Sequence, residues 1–350
     1  MSSAWRPRAK PSSLWDREAY RGDMNLQTLA FGPVPSRRLG QSLGINNIPA
    51  KTCTYSCIYC QLGRTTGLRS DRCPFYSPEK LEADVKAKAA TAREAGERVD
   101  YLAFVSDGEP TLDIHLGEAI DRVKTTRIKT AVISNASLVG LRDVRDALSR
   151  ADWVSLKVDA MDESVWRRID RPHKDFRVEA IHEGILAFAE RYEGVLATET
   201  MLVGGVNDTE RSLHALAGFL SRVQPARAYL AIPTRPPAEI WAVPPTEPNL
   251  NRAYQILDEA VERVEYLAGY EGNTFATTGD VQEDLLGIAA VHPLREDALE
   301  ALLARAGADW ETVRLLLGER LLVEVEYRGR RFYVRRLSGY RRPRKGRTVP

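Results

Sequence analysis

The sequence predicts an α/β fold: a partial (β/α)6 TIM-like barrel followed by a C-terminal winged-helix-like module. Three observations predict it. Between about residues 28 and 270, short β-type runs alternate six times with amphipathic helical stretches, the pattern of a parallel sheet with helical crossovers. That alternation stops near residue 272, where three short helical stretches lead into two alternating runs joined by Arg328-Gly329. With 350 residues and a hydrophobic fraction of 43%, the chain can build one large core and a smaller second one.

Taken in order, residues 1–27 form a polar arm without the apolar core of an export signal. Ordered patterning begins just after Met24, which makes that residue a candidate natural start. The barrel is expected over 28–271. Its strands are QSLGIN (41–46), YLAFVS (101–106), KTAVIS (129–134), WVSLKV (153–158), VLATETMLV (195–203) and AYLAI (228–232). Its first helix opens at Ser77-Pro78, an N-cap followed by proline at the first helical position, and runs to about Arg98. Further helices are expected at 113–125, 141–149, 177–191, 209–222 and 249–267. The second module is expected over 272–337, with helices at 280–290, 295–306 and 310–318 before the hairpin LLVEVEY/RRFYVRRL. Residues 338–350 read as a solvated basic tail.

The net charge of +2 gives no global polyanion-binding signature. It is unevenly spread, however: from Arg328 to Pro350 there are ten Lys or Arg and no Asp or Glu. No apolar run approaches the ~20 residues of a membrane span. Three of the 4 cysteines fall within eight residues, which argues for a metal site in a reducing, cytoplasmic setting and against a secreted disulfide framework.

The segment KTCTYSCIYCQLG places Cys53, Cys57 and Cys60 at C-x3-C-x2-C spacing. Three thiolates can hold three irons of a four-iron cluster and leave the fourth open. The alternative is zinc or a closed cluster with Cys73 as fourth ligand. Tight spacing argues against three ordinary core cysteines.

In the fourth strand Ser155, Lys157 and Asp159 share one face, while Val154, Leu156 and Val158 share the other. The apolar face packs under helices, which turns the polar row into the barrel. Such a row is costly unless it is paired, as Lys157 with Asp159, or binds something polar. Glu199 alternates with Met201 on the fifth strand and is another candidate interior carboxylate. Arg37-Arg38 and Arg235 are candidates for an anionic substrate or for surface pairs. The histidines show no zinc or triad spacing. On its own, DGEP at 107–110 reads as an ordinary turn.

C-x3-C-x2-C with Tyr59 before the last cysteine, at the start of a β/α barrel, resembles the radical SAM superfamily. The stretches FGPVPSRRLGQSLGIN, SDGEPTL, SLKVDAMD, TMLVGGVND and PTRPP resemble the branch of wyosine-type tRNA-modifying proteins. The resemblance implies a [4Fe-4S] cluster on Cys53, Cys57 and Cys60 and bound S-adenosylmethionine (SAM). Tyr59 would contact adenine, and the Gly108-Glu109-Pro110 turn would bind the methionyl ammonium. Ser134 and Asn135 would reach the methionine carboxylate or the ribose, with Ser155, Lys157 and Asp159 completing the pocket. Gly204-Gly205-Val206-Asn207 would lie beside the adenosyl group. The implied reaction is reductive SAM cleavage to a 5′-deoxyadenosyl radical that takes hydrogen from a substrate carbon. A reductant such as flavodoxin or ferredoxin would supply the electron. The substrate expected first is a tRNA base, met through the basic C-terminal region. A protein, peptide or small metabolite is the second expectation. A metal-stabilised DNA-binding regulator without catalysis is the third, and it would need no SAM pocket.

Overall fold

The structure, a computed structural model, describes residues 29–267, 280–291 and 293–336. The predicted arm 1–27 and basic tail 338–350 lie outside the described residues. The chain opens with β1 (Ala30–Ser36) and β2 (Gly40–Ile45), a short antiparallel pair. Next come β3 (Thr52–Cys53) and β4 (Gly67–Leu68), two-residue strands that pair in parallel and close the cysteine segment into a loop.

The β/α alternation follows: α1 (Pro78–Glu94), β5 (Tyr101–Phe104), α2 (Leu116–Val123), β6 (Lys129–Ser134), α3 (Arg142–Leu148) and β7 (Trp153–Lys157). It continues with α4 (Glu163–Ile169), α5 (Val178–Ala189), β8 (Val195–Met201), α6 (Glu210–Val223), β9 (Arg227–Ala231), α7 (Glu247–Asp258) and β10 (Val264–Leu267). The curled sheet has the order β1-β2-β5-β6-β7-β8-β9-β10, parallel from β2 onward.

All six predicted strand runs are strands, and the barrel has two more. The sequence AFGPVPS hides β1 behind two prolines, which an edge strand tolerates because one side of it needs no ladder. The predicted helix 249–267 is two elements. It ends at Asp258, and VEYL continues as β10 in register with Ala228–Ala231. Its β-branched and aromatic residues gain more from pairing with β9 than from another helical turn. The α1 start is as predicted: Ser77 Oγ accepts from Lys80 N at 3.2 Å, with Pro78 at the first position. The sequence reading missed α4, which Asp162 caps by accepting from Ser164 N and Val165 N.

Helices cover the outer face of the sheet over one core that includes Val154, Leu156 and Val158. Inside the curl, Leu39, Ala103, Ala131, Trp153, Ala197 and Tyr229 form an apolar floor. The polar side chains therefore stand above that floor, toward the C-terminal ends of the strands, as in barrel enzymes.

Past residue 280, the chain forms α8 (Val281–Val291), β11 (Leu294–Arg295), α9 (Glu296–Ala306), α10 (Trp310–Gly318), β12 (Leu322–Tyr327) and β13 (Arg330–Arg335). The hairpin takes in β11 as a third strand, in the order β11-β13-β12. Leu285 and Ile288 of α8 share a core with Phe31 and Val34 of β1, so this part of the chain covers the barrel's edge strand.

Candidate functional site

A cavity of about 290 Å³ opens above the barrel floor. Cys53, Cys57 and Cys60 line it, and so do Tyr59, Gly108, Glu109, Ser134, Asn135 and Lys157. Pro110, Ser155 and Asp159 do not. Pro110 starts a 3-10 turn beyond the wall. Ser155 is fully buried below the cavity, and its Oγ has no hydrogen-bond partner among the described residues. Asp159 lies behind Tyr59. Its carboxylate accepts from the Tyr59 hydroxyl and, at 2.7 Å, from Met201 N.

The cysteine loop is held from several sides. Ser56 N donates to Asp170 O at 3.0 Å, Ile58 N to Ile169 O at 2.9 Å, and His173 N to Thr54 O at 2.9 Å. Tyr55 packs edge-on against Trp166 with centroids 5.7 Å apart. Glu239 N donates to Ile58 O at 2.9 Å, and the Glu239 carboxylate joins Arg64 and Arg171. The loop's thiols thus sit on an anchored backbone.

The Gly-Glu-Pro turn presses against this loop. A Cβ on Gly108 would lie 1.7 Å from the Thr52 carbonyl oxygen. Glycine is therefore needed for backbone packing immediately before Cys53. Glu109 spends its carboxylate inside the protein. It accepts from Thr111 N at 3.0 Å, Thr111 Oγ1 at 2.6 Å, Ser134 Oγ at 2.8 Å and Asn135 N at 2.7 Å. Burial raises its pKa and these donors oppose the rise. Asn135 Nδ2 donates to Thr54 Oγ1 at 2.7 Å, tying the end of β6 to the cysteine loop.

Across the cavity, Lys157 Nζ lies 3.0 Å from Glu199 Oε1 and 4.8 Å from the Tyr59 ring centroid. Glu199 also pairs with Arg38. The interior partner of Lys157 is thus Glu199 on the next strand, and the alternative Lys157–Asp159 pair is not formed by direct contact. Burial would lower the Lys157 pKa, but Asp159 and Glu199 together hold it above its ordinary value. Arg235 reaches Gln61 Oε1 at 3.1 Å on the same wall. Arg37 does not line the cavity. Asn207, in the Gly-Gly-Val-Asn turn, donates to Asp159 O at 2.8 Å and Met201 O at 2.9 Å, which locks the ends of β7 and β8 together.

Two cavity groups, Lys51 and Asp107, and one group behind the wall, Asp170, escaped the sequence reading. Lys51 is buried, and its ammonium donates to Leu62 O across the cysteine loop. Burial lowers its pKa. Asp107 is 2% exposed, and its Oδ1 has no hydrogen-bond partner among the described residues. Burial pushes its carboxyl up to about 7, against Arg335 and Lys51. Asp170 accepts from the Tyr59 hydroxyl at 3.1 Å, and burial and Asp159 raise it well above the carboxylate range. Only Asp107 had a sequence signal, its place in SDGEP. Asp170 lies 111 positions from Tyr59.

The thiols are shifted too. Burial, then Glu109, pushes Cys53 up to about 12, and burial, then Asp170, raises Cys57 well above the usual thiol value. Cys73 does not line the cavity. It bridges to Asp113 on the far side of the turn.

Residues 47–219 match the sequence profile of the radical SAM superfamily. The chain is 42% identical over 313 residues to UPF0026 protein MJ1312 of Methanocaldococcus jannaschii, covering 89% of this chain and 97% of that one. It is 37% identical over 218 residues to a UPF0026 protein of Helicobacter pylori, covering 59% and 67%. The solved structure of TYW1 with a lysine-pyruvate adduct bound has the same fold, with a TM-score of 0.51, 19% identity and coverage of 64% and 76%. No described helix is long and apolar enough to cross a membrane. The chain belongs to the radical SAM superfamily and is an enzyme of that class, which uses a [4Fe-4S] cluster and S-adenosylmethionine and needs an electron donor.

Proposed function

We propose that Cys53, Cys57 and Cys60 each hold one iron of the cluster, and that SAM lies between the cysteine loop and the Gly108-Glu109 turn. The observation that carries this reading is that the three thiols and the turn line one cavity. The donor set fits. Burial disfavours the thiolates of Cys53 and Cys57, and iron supplies the positive charge that reverses this. Three cysteines can each hold one iron of a four-iron cluster, whereas a structural zinc site takes four ligands.

When bound, the cluster and SAM would supply radical chemistry for hydrogen abstraction. The chain's residues position and enclose. Glu109 fixes the ends of β5 and β6 relative to the loop, and Lys157 keeps its charge beside the Tyr59 ring. Val105, Ile133, Ala231, Ile232 and Leu267 give the cavity an apolar wall that limits water.

Cluster assembly and iron and sulfide analysis test the ligand set. Alanine at Cys53, Cys57 or Cys60 should abolish the cluster, and Cys73→Ala should keep it. Equal iron loss in Cys73→Ala sinks the three-thiolate reading.

For the substrate we infer an RNA, most specifically a tRNA whose base is modified. Support comes from the basic C-terminal region and from the helix-strand-helix-helix-hairpin order after residue 280, a winged-helix-like arrangement. This module also borders the cavity, since Tyr327 Oη donates to Pro233 O at 3.3 Å and Pro233 lines the wall. Deleting 338–350 removes Arg341, Arg342, Arg344, Lys345 and Arg347. The log–log salt slope of RNA binding should then become shallower by about one to three units, at ~0.7–0.9 per lost phosphate contact. Nucleoside analysis of tRNA from a deletion strain completes the test. An unchanged nucleoside profile, with no RNA binding at low salt, moves the substrate to a peptide or metabolite.

A further inference from the structure

Ile240, Trp241 and Val243 are 52%, 42% and 45% exposed, three large apolar side chains within four consecutive positions. They belong to the loop between β9 and α7. Between Trp241 and Val243 the loop turns Ala242 inward, fully buried in a small core with Ile58, Tyr59, Ile169, Val203 and Val206. Glu239 N bonds Ile58 O, so the loop lies directly on the cysteine loop. None of the three exposed side chains lines the cavity. Three guanidiniums border them. Arg64 and Arg171 meet at Glu239, at 2.8 and 2.5 Å, and Arg168 lies 5.9 Å from the Trp241 ring centroid. The other nearby carboxylate, Asp208, is buried and accepts from Gly205 N and Asn249 Nδ2.

We propose that this patch is the docking surface for an acidic one-electron carrier protein, which reduces the cluster through the cysteine loop without entering the cavity. The proposal rests on the cluster being held by Cys53, Cys57 and Cys60. An apolar centre with Trp and Arg is the make-up of a protein-binding hot spot. Three guanidiniums against two carboxylates, Glu239 and Asp208, both of them buried, select an acidic partner. Arginines beside an exposed tryptophan also suit RNA. A substrate held here, however, would remain outside the cavity where its chemistry must occur, whereas an electron needs only proximity to the cluster. In the step itself the carrier loses one electron and the cluster gains it, and no bond is made or broken.

The test uses the cluster-loaded full chain, with flavodoxin hydroquinone and dithionite as alternative reductants and cluster bleaching as the readout. Arg168→Glu, and separately Trp241→Ala, should slow reduction by flavodoxin by roughly tenfold or more, and added salt should slow the wild type. Reduction by dithionite should be unchanged in both variants, which also reports that they are folded. Unchanged flavodoxin rates in both variants overturn the proposal. So does a loss of RNA affinity in these variants with flavodoxin rates intact. Full cluster loading in Cys53→Ala, Cys57→Ala and Cys60→Ala overturns the cluster assignment itself, and the docking surface with it.

Discussion

At Gly108 the missing side chain is a matter of space. Alanine there would drive a Cβ into the backbone oxygen of Thr52, which has no rotamer to yield. Gly108→Ala should destabilise the chain by about 3 kcal/mol and displace the cysteine loop. Thermal unfolding and iron content after reconstitution should both fall, and normal iron loading would contradict the packing argument. Asp107, one residue earlier, is a pH-dependent burden. Its folded pKa of about 7 lies above the ordinary 3.8, so the folded state prefers the proton. Below pH 3.8 it carries no penalty. Between 3.8 and about 7 stability is progressively lost, by up to about 4 kcal/mol. Asp107→Asn should therefore gain stability relative to the wild type as pH rises through that window. Denaturant midpoints of both proteins across the window check the sign.

Among the elements, β7 and β8 carry the polar interior. Period-2 alternation makes Ser155 and Lys157 share a face with Trp153, and parallel register brings Lys157 opposite Glu199. Glu199 answers both Lys157 and Arg38. Glu199→Gln would leave two cations facing each other inside the curl, at a cost of roughly 3 kcal/mol. Urea denaturation should show it, and a change below about 1 kcal/mol would mean solvent already screens the pair. The inward row was legible from spacing alone. The partner across the row was not, because strand register is a tertiary property.

On the scale of the whole molecule, α8 buries Leu285 and Ile288 against Phe31 and Val34 of β1. A shared core couples barrel and module. Leu285→Ala should cost about 3 kcal/mol and lower one common melting transition, followed by calorimetry. A separate early transition would show that the module unfolds alone.

The sequence by itself determined the six strand runs, the three-cysteine loop and the inward face of β7, since these are set by periodicity and spacing along the chain. It misread VEYL as helix because a four-residue strand shows itself only by what it pairs with. It chose Gly108 and Glu109 for contact with SAM, but it did not show that Gly108 also packs on Thr52 and that Glu109 also holds the end of β6. Only the tertiary structure decided which groups meet in the cavity. Lys51, Asp107 and Asp170 are ordinary residues until folding buries them beside the thiols and Tyr59. Burial, which no local pattern encodes, then shifts their pKa values.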